Sequence, residues 1–190
     1  MDRCRCKWCN PNNPLYIAYH DQEWGQLRLD DGYLYEMLML ESFQAGLSWE
    51  CILNKRENFR KAFDGFLPAK VAAYGQAKID ALCQDPGIIR HRRKIFACVE
   101  NSKIFLSIVE EFGSFHAYLE TFTGGNILYE TGNTSNTLSD AISRDLQKRG
   151  MKFVGSVIIY SYLQAIGCIV SHDSDCYLYA PAPQDSLVPR

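Results

Sequence analysis

Residues 14–25 read Pro14-Leu15-Tyr16-Ile17-Ala18-Tyr19-His20-Asp21-Gln22-Glu23-Trp24-Gly25. They include two tyrosines, a tryptophan, a histidine and two acids, and their apolar positions fit neither a helical nor a strand period well. Aromatic faces beside a carboxylate suit the binding of a flat, cationic ring. His20 can serve as a metal ligand or as a base. The alternative is a buried aromatic anchor with a hydrogen-bonded histidine, and the rest of the chain has to decide between the two.

The composition is that of an ordinary globular protein of 190 residues with a net charge of −2. That length is enough to bury a sizeable core. No apolar run is long enough to span a bilayer, and no apolar region of a signal peptide follows the N-terminus. We therefore expect a cytoplasmic protein in which clustered cysteines, among the eight present, are metal ligands rather than disulfides. The net charge argues against binding nucleic acid by overall charge but permits a local basic face.

The periodicity along the chain is helical, and no segment alternates convincingly as a strand, so we predict an all-α fold. A first long helix follows a cap at Asp30 or Asp31 and breaks at Gly46. A second runs from Ser48 to Phe63, with Arg56 on its outer face. Further helices are expected from Pro68, over 79–83, after the turn at 85–87, over 115–122, over 141–147 with a cap at Ser139 or Asp140, and over 156–166, with 124–137 as a loop.

Glu41 lies on the face of the first long helix that should be buried, with Leu34, Met37, Leu38 and Ala45. A buried carboxylate is costly unless it is hydrogen-bonded or meets a cation. The alternative is a glutamate near a helix end that reaches solvent. Buried unpaired carboxylates are rare, which favours a functional interpretation of Glu41.

A metal site is the first candidate for chemistry. His172 and Cys176 are four residues apart, so one turn of chain places both side chains on one side. Cys4 or Cys6, together with His20, can complete a Cys₂His₂ tetrahedron that ties the two ends of the chain together. Four protein ligands leave no open position, so such a metal is structural. The alternative is a surface histidine and a small core cysteine.

Two segments suit contacts with phosphate. Residues 151–155 form a short glycine-containing hairpin between two helices, with Lys148, Arg149 and Lys152 nearby. Residues 87–94 form a glycine turn that opens a basic helix. The alternatives are an ordinary helix corner with a solvated basic rim and a solvated charged face.

The aromatic residues and the acid form a last candidate site: Tyr16, Tyr19, Trp24, Trp49 and Glu41. Together they suit a base extruded from DNA, because the rings can stack on the base and the carboxylate can accept from an exocyclic amine. The alternative is a core aromatic cluster with an acid at its edge. No serine lies on a nucleophile turn, and no Cys–His nucleophile pair stands out.

Several segments together resemble the type I bacterial 3-methyladenine-DNA glycosylases, from about Cys6 to Cys176. The matching segments are 5–8 (Arg-Cys-Lys-Trp), 19–25, 40–49 (Leu-Glu-x-x-Gln-Ala-Gly-Leu-Ser-Trp), 55–58, 87–92, 148–155 and the pair His172 and Cys176. Any one of them alone is weak, but the combination is highly specific. The family pattern Arg-Cys-x-Trp places Cys6 first among the metal ligands, although Cys4 and Cys9 depart from that pattern and leave exchange between Cys4 and Cys6 open.

The resemblance implies a helix-hairpin-helix glycosylase fold, one structural zinc and excision of N3-methyladenine from double-stranded alkylated DNA without strand cleavage. It implies a single domain over residues 1–184, with the helix-hairpin-helix at about 139–167, and a cytoplasmic, nucleoid-associated monomer. The residue roles it implies are Cys6, His20, His172 and Cys176 as zinc ligands, Glu41 as the catalytic residue, Tyr16, Tyr19, Trp24 and Trp49 as base-binding residues, and Gly46, Arg90, Lys152 and Gly155 as DNA contacts.

In many helix-hairpin-helix glycosylases a catalytic aspartate follows the hairpin's second helix. In the family that this chain resembles, the zinc region occupies that place, so Asp173 is not expected to take that role.

The sequence is also compatible with two other functions. A zinc-stapled DNA-binding protein without catalysis would use the same hairpin, although a pure binder needs no buried Glu41. A thiol protein would be built on Cys4 and Cys6. Residues 185–190 end in half of a protease site used to remove purification tags, and we do not expect them to belong to the fold.

Overall fold

The structure is a computed structural model that describes residues 3–181, so the tag-like residues 185–190 lie outside the described residues. Within that range the chain is mostly helical, as predicted. The helices are α1 (Pro14–Gln22), α2 (Asp31–Gln44), α3 (Trp49–Leu53), α4 (Arg56–Ala62), α5 (Pro68–Ala72), α6 (Gln76–Gln84), α7 (Arg92–Phe112), α8 (Phe115–Thr123), α9 (Thr137–Lys148) and α10 (Ser156–Ala165), with a 3₁₀ turn at Asp64–Phe66. None of the helices in residues 3–181 is long and apolar enough to cross a membrane.

Helix α2 lies at the centre of the hydrophobic core. Asp30 caps it by accepting from the backbone N–H of Tyr33 at 2.8 Å. Every residue from Leu34 to Phe43 is buried, including Glu41, because α3, α7, α8 and α10 all pack against this helix. Burial therefore extends around the helix instead of following the one face that the sequence predicted.

The predicted helix from Ser48 to Phe63 is wrong, because the structure divides it into α3 and α4. Ser48 does cap α3, accepting from the N–H of Cys51 at 3.2 Å. The helix breaks at Lys55, and Arg56 then turns inward instead of lying on the outer face. Its guanidinium donates to Glu36 at 2.5 Å and to Glu23 at 2.7 Å. These two carboxylates, remote in sequence, explain why a charged residue occupies a buried position.

The predicted boundaries around α9 also need correction. Asn136 caps the helix, and Ser139 lies inside it as the reciprocal partner of Asn136 in a capping box. The expected loop over 124–137 contains a short strand, β1 (Leu128–Tyr129), which pairs in parallel with β2 (Ile169–Val170). Leu128 lies opposite Ile169 and Tyr129 opposite Val170. The sequence around β1 does not predict this strand, because it has two residues and its partner strand is distant in sequence.

Helices α9 and α10 pack against each other and are joined by residues 149–155, where the hairpin was predicted. Met151 and Val154 are buried, whereas Lys152 is exposed. Phe153 has a φ of +59°, in the left-handed region. The hairpin is held by Asn101 of α7, whose side-chain amide donates to the carbonyl of Lys152 and accepts from its N–H, both at 2.9 Å.

The segment after α1 crosses the end of α10. The N–H of Gly25 donates to the carbonyl of Gln164, and that of Arg28 donates to the carbonyl of Ile166, both at 3.0 Å. Gly167 permits this crossing, because a Cβ there would lie 2.3 Å from the backbone of Gln26. The crossing places Trp24 next to the C-terminal end of α10.

Candidate active site

A cavity of about 300 Å³ lies between α1, α2, α3 and α10. That volume suits a single flat ring system. The residues that line it are Trp8, Tyr16, Tyr19, Trp24, Glu41, Gln44, Trp49, Gly132, Asn133, Ser161, Gln164, Ser171 and Asp173. All five residues that the sequence singled out as a base pocket are among them.

The aromatic wall comes mostly from α1. Asn13 caps this helix by accepting from the N–H of Leu15 at 3.1 Å. Tyr16 and Tyr19 are three residues apart on its buried face, and Trp24 follows the helix. Trp49 reaches the same cavity from the start of α3, with its ring centroid 5.4 Å from that of Tyr19. These contacts explain why the apolar positions of residues 14–25 fit neither a helical nor a strand period. The aromatic residues of this segment line a cavity as well as packing in the core.

Among the described residues that line the cavity, Glu41 is the only buried acid. Its side chain is 3% exposed, and its Oε2 has no hydrogen-bond partner among the described residues. Burial raises its pKa from 4.5 to about 8, so the protein without ligand holds a proton there at neutral pH. The indole N–H of Trp49 is likewise buried without a partner in the described part of the chain. Unpaired buried polar atoms beside a cavity point to a ligand that supplies the missing partners.

Four buried side chains form a Cys₂His₂ group directly behind this wall: Cys6, His20, His172 and Cys176, with ligand atoms that all lie within 4.8 Å of one another. Sγ of Cys176 lies 3.4 Å from Nε2 of His20 and 3.7 Å from Nδ1 of His172, which is 3.4 Å from Sγ of Cys6. A tetrahedral zinc with bonds of about 2.3 Å to sulfur and about 2.0 Å to nitrogen separates these atoms by about 3.5 Å. The group therefore fits zinc in both donor type and spacing.

Neighbouring groups orient the donors. Nδ1 of His20 lies 2.8 Å from Oδ1 of Asp21, which leaves Nε2 to face the two sulfurs. Arg5 holds Asp21 through two hydrogen bonds of 2.7 and 2.8 Å and keeps the pKa of that carboxyl well below its usual range. Backbone N–H groups of Asp173 and Leu178 donate to Sγ of Cys6 and Cys176 at 3.3 and 3.4 Å. Sulfurs that accept such bonds are suited to the thiolate form that binds a metal.

Cys4 lies outside the group. Its side chain is exposed, and its carbonyl accepts from the N–H of Tyr177 at 2.9 Å. Burial raises the pKa of the Cys6 thiol to about 12, and burial together with His20 lowers the pKa of His172 to about 4. As long as no metal ion is bound, burial keeps the Cys6 thiol uncharged. An uncharged thiol is a poor nucleophile, so a reactive thiol site is not favoured here.

None of the four predicted DNA contacts is among the described residues that line the cavity. Gly46, with a φ of +77°, is exposed in the turn between α2 and α3. Arg90 is exposed just before α7, and Lys152 is exposed in the hairpin. Gly155 is the N-cap residue of α10.

Sequence reasoning missed the polar side of the cavity. Ser161 and Gln164 face it from α10, and Asn133, Ser171 and Asp173 approach from the loops. The signal for the first two was present: they are three residues apart and interrupt an otherwise apolar helix, which places them on one face. The loop residues carry no such pattern. Trp8, used only to identify Cys6, also lines the cavity and packs 4.8 Å from Trp24.

Comparison with known proteins gives consistent matches over nearly the whole chain. Residues 8–179 match the model of the methyladenine glycosylase family. The chain is similar to DNA-3-methyladenine glycosylase 1 of Escherichia coli strain K12, at 44% identity over 182 residues, which cover 92% of this chain and 96% of that protein.

Solved structures agree with the sequence matches. A crystal structure of a 3-methyladenine DNA glycosylase I superimposes with a TM-score of 0.88 at 41% identity, covering 93% of this chain and 100% of that one. A variant of such an enzyme in complex with 3-methyladenine superimposes with a TM-score of 0.86 at 35% identity, covering 91% and 96% of the two chains.

Proposed function

This chain belongs to the methyladenine glycosylase family, and we propose that it excises 3-methyladenine from alkylated DNA by hydrolysing the bond between base and sugar, as in base excision repair. One observation carries the proposal: a cavity of about 300 Å³ joins several aromatic rings to a buried acid with no partner among the described residues. A protein that only binds DNA has no need of such a cavity.

Aromatic stacking supplies the first part of recognition. The residues that line the cavity include Tyr16, Tyr19, Trp24 and Trp49. A base that has left the duplex loses its stacking and pairing, at a cost of a few kcal/mol that is smaller for a damaged base. A cationic base held over a tryptophan or tyrosine ring recovers about 0.5–2 kcal/mol. The pocket therefore favours an extruded, positively charged purine.

Glu41 supplies the second part of recognition. Its proton is retained near neutral pH because burial disfavours the carboxylate. A cationic base in the cavity reverses that preference, since opposite charge stabilises the ionised form. The carboxylate then accepts a hydrogen bond from the exocyclic amine of the base. Neutral adenine does not offset the cost of burying the charge of Glu41. This difference lets the pocket discriminate 3-methyladenine from adenine.

The reaction needs little proton transfer to the leaving group. The glycosidic bond of 3-methyladenine is weak because the base is already a cation, and it departs neutral. The protein has to hold the base, stabilise the developing charge and place water at the sugar. No lysine is among the residues that line the cavity between positions 3 and 181, and we propose that the enzyme leaves the strand intact.

We assign one structural zinc to Cys6, His20, His172 and Cys176. The support is the matching donor set and the spacing of its atoms. Four protein ligands leave no position for water or substrate, so the metal holds the wall of the pocket and takes no part in the chemistry. Zinc would also join the two ends of the chain, which meet where the N–H of Lys7 donates to Asp173 at 2.8 Å.

We assign double-stranded DNA to the surface formed by the hairpin and by the turn after α2. Residues 139–167 would act as a helix-hairpin-helix element, with the backbone at Gly155 and the N-terminus of α10 facing phosphate. Lys152 and Arg90 add positive charge, and Gly46 lets the backbone approach the DNA closely. We further propose that residues 1–184 act as one domain and as a monomer, in the cytoplasm at the nucleoid.

The test is to incubate the protein with methylated double-stranded DNA and to identify the products by chromatography and gel electrophoresis. We expect free 3-methyladenine in solution and strands that remain intact until alkali cleaves the abasic sites. Unmethylated DNA is the control. Strand breaks without alkali would contradict the absence of a lyase step, and DNA binding without base release would favour a non-catalytic binder.

A further inference from the structure

Lys94 of α7 is a buried lysine that the proposed mechanism does not use. Its side chain is 8% exposed, and its Nζ donates to the carbonyls of Phe43 at 2.7 Å and Ala45 at 2.5 Å. It forms no ion pair with any carboxylate in residues 3–181. A lysine buried against carbonyls alone is costly, and burial lowers its pKa. Such a residue calls for an explanation other than stability.

The Phe43 carbonyl is one of the last four of α2, which have no partner within the helix, and Ala45 is the C-cap residue, so Lys94 places a positive charge at the C-terminal end of α2, where it is favourable. Ala45 begins the turn over residues 45–48, in which Gly46 has a left-handed φ of +77° and Leu47 is 39% exposed. Glu41 lies one helical turn before Ala45, and Trp49 follows the turn directly. Lys94 therefore fixes the junction between two residues of the base pocket.

The same face of α7 also holds the hairpin. Asn101 follows Lys94 by seven residues, or two helical turns, and is fully buried. Its amide makes the paired hydrogen bonds to the backbone of Lys152 described above. Nζ of Lys94 itself lies 5.9 Å from the ring centroid of Phe153, the hairpin residue with the left-handed φ. Helix α7 thus contacts both parts of the proposed DNA surface through one row of side chains.

We propose that Lys94 is a positioning residue that holds the α2–α3 turn in place beside the hairpin, so that DNA gripped by the hairpin presents its damaged base to the pocket. The inference rests on the proposed function for its consequence in catalysis. The hydrogen bonds from Lys94 to the α2–α3 turn are a property of the fold. Their effect on the mobility of the turn can be measured without any enzymatic activity.

The experiment compares Lys94→Met with Lys103→Met, a matched substitution at an exposed lysine further along α7. Hydrogen–deuterium exchange should be about tenfold or more faster over residues 45–49 in Lys94→Met only, as expected for the loss of hydrogen bonds from a charged donor. Exchange over residues 152–154, which Asn101 holds, should stay the same. Single-turnover excision should fall by about tenfold or more. Affinity for undamaged DNA, which the hairpin provides, should change less than about twofold.

Unchanged exchange over residues 45–49 would overturn the proposal, as would unchanged excision in a variant whose exchange does change. If the wild-type protein releases no base, the proposed function fails, while the exchange data still decide whether Lys94 holds the α2–α3 turn in place. Lys94→Gln, which keeps a shorter neutral donor, provides the same comparison with Lys103→Gln if the methionine variant does not fold.

Discussion

The indole of Trp24 packs edge-on against the imidazole of His172, with ring centroids 4.8 Å apart and planes 87° apart. Trp24 lines the cavity, and His172 belongs to the Cys₂His₂ group. Trp8, another cavity residue, packs 5.2 Å from His20 of the same group. One wall of the pocket therefore packs directly against the candidate metal centre. Loss of the metal should displace these rings and weaken binding of the base.

Loss of a ligand should remove the metal. We predict about one equivalent of zinc in protein purified without added metal, and far less in Cys176→Ser, by elemental analysis. The melting temperature of the variant should fall by about 10 °C or more, because metal binding is coupled to folding. Cys4→Ser is the matched control, since Cys4 is exposed and outside the group. Loss of zinc in Cys4→Ser with retention in Cys176→Ser would refute the ligand assignment.

The helical class, the residues gathered around the cavity and the members of the Cys₂His₂ group could all be predicted from the sequence, for different reasons. Glu41 is an acid on an otherwise apolar helix face, and Tyr19 belongs to a stretch that fits neither a helical nor a strand period. Residues that depart from the local pattern in this way are often functional, which is why the pocket could be predicted. The ligand set needed the family resemblance, since His20 and His172 lie at opposite ends of the chain. Spacing alone left Cys4 and Cys6 undecided.

What the sequence did not reveal depends on long-range contacts. Arg56 is buried because two acids from other helices meet it, and nothing near it in sequence shows this. The strand Leu128–Tyr129 exists because β2 pairs with it, and two residues are too few to establish a period. Ser161 and Gln164 could have been found, since polar residues three apart on an apolar helix share a face.

Glu41 should make stability depend on pH. Its folded pKa of about 8 lies above the usual 4.5, so the folded state keeps a proton that the unfolded chain loses. The free energy of unfolding should therefore fall as pH rises from about 5 to about 8. Urea unfolding across this range should show the decrease in the wild type and a flatter profile in Glu41→Gln. Parallel profiles would mean that Glu41 is not protonated in the folded protein.

Free 3-methyladenine should bind in the cavity and change the tryptophan fluorescence of the protein. Replacing Trp49 with alanine should weaken this binding by about tenfold or more, because stacking on one aromatic side chain contributes about 1–3 kcal/mol. Phe96→Ala is the control, as Phe96 is a 52% exposed aromatic outside the cavity. Equal affinities for wild type and Trp49→Ala would place the base elsewhere.

The hairpin should contribute a salt-sensitive term to DNA binding. Lys152→Gln should weaken binding to duplexes of any sequence and reduce the slope of log affinity against log salt by about one. Fluorescence anisotropy at several salt concentrations measures this slope. Lys78→Gln is a suitable control, because Lys78 belongs to α6 and not to the hairpin, and its Nζ lies 3.6 Å from Oδ2 of Asp64. A slope that changes only in the control variant would exclude Lys152 as a phosphate contact.

Release of 3-methyladenine from methylated DNA, followed by chromatography for the wild type and for Glu41→Gln, tests the central claim most directly. The account predicts release by the wild type and a rate about tenfold to hundredfold lower in the variant, which can still stack the base but cannot provide the carboxylate. Glu57→Gln, at an exposed glutamate, should match the wild type. Release by Glu41→Gln at the wild-type rate would contradict the assignment of the pocket.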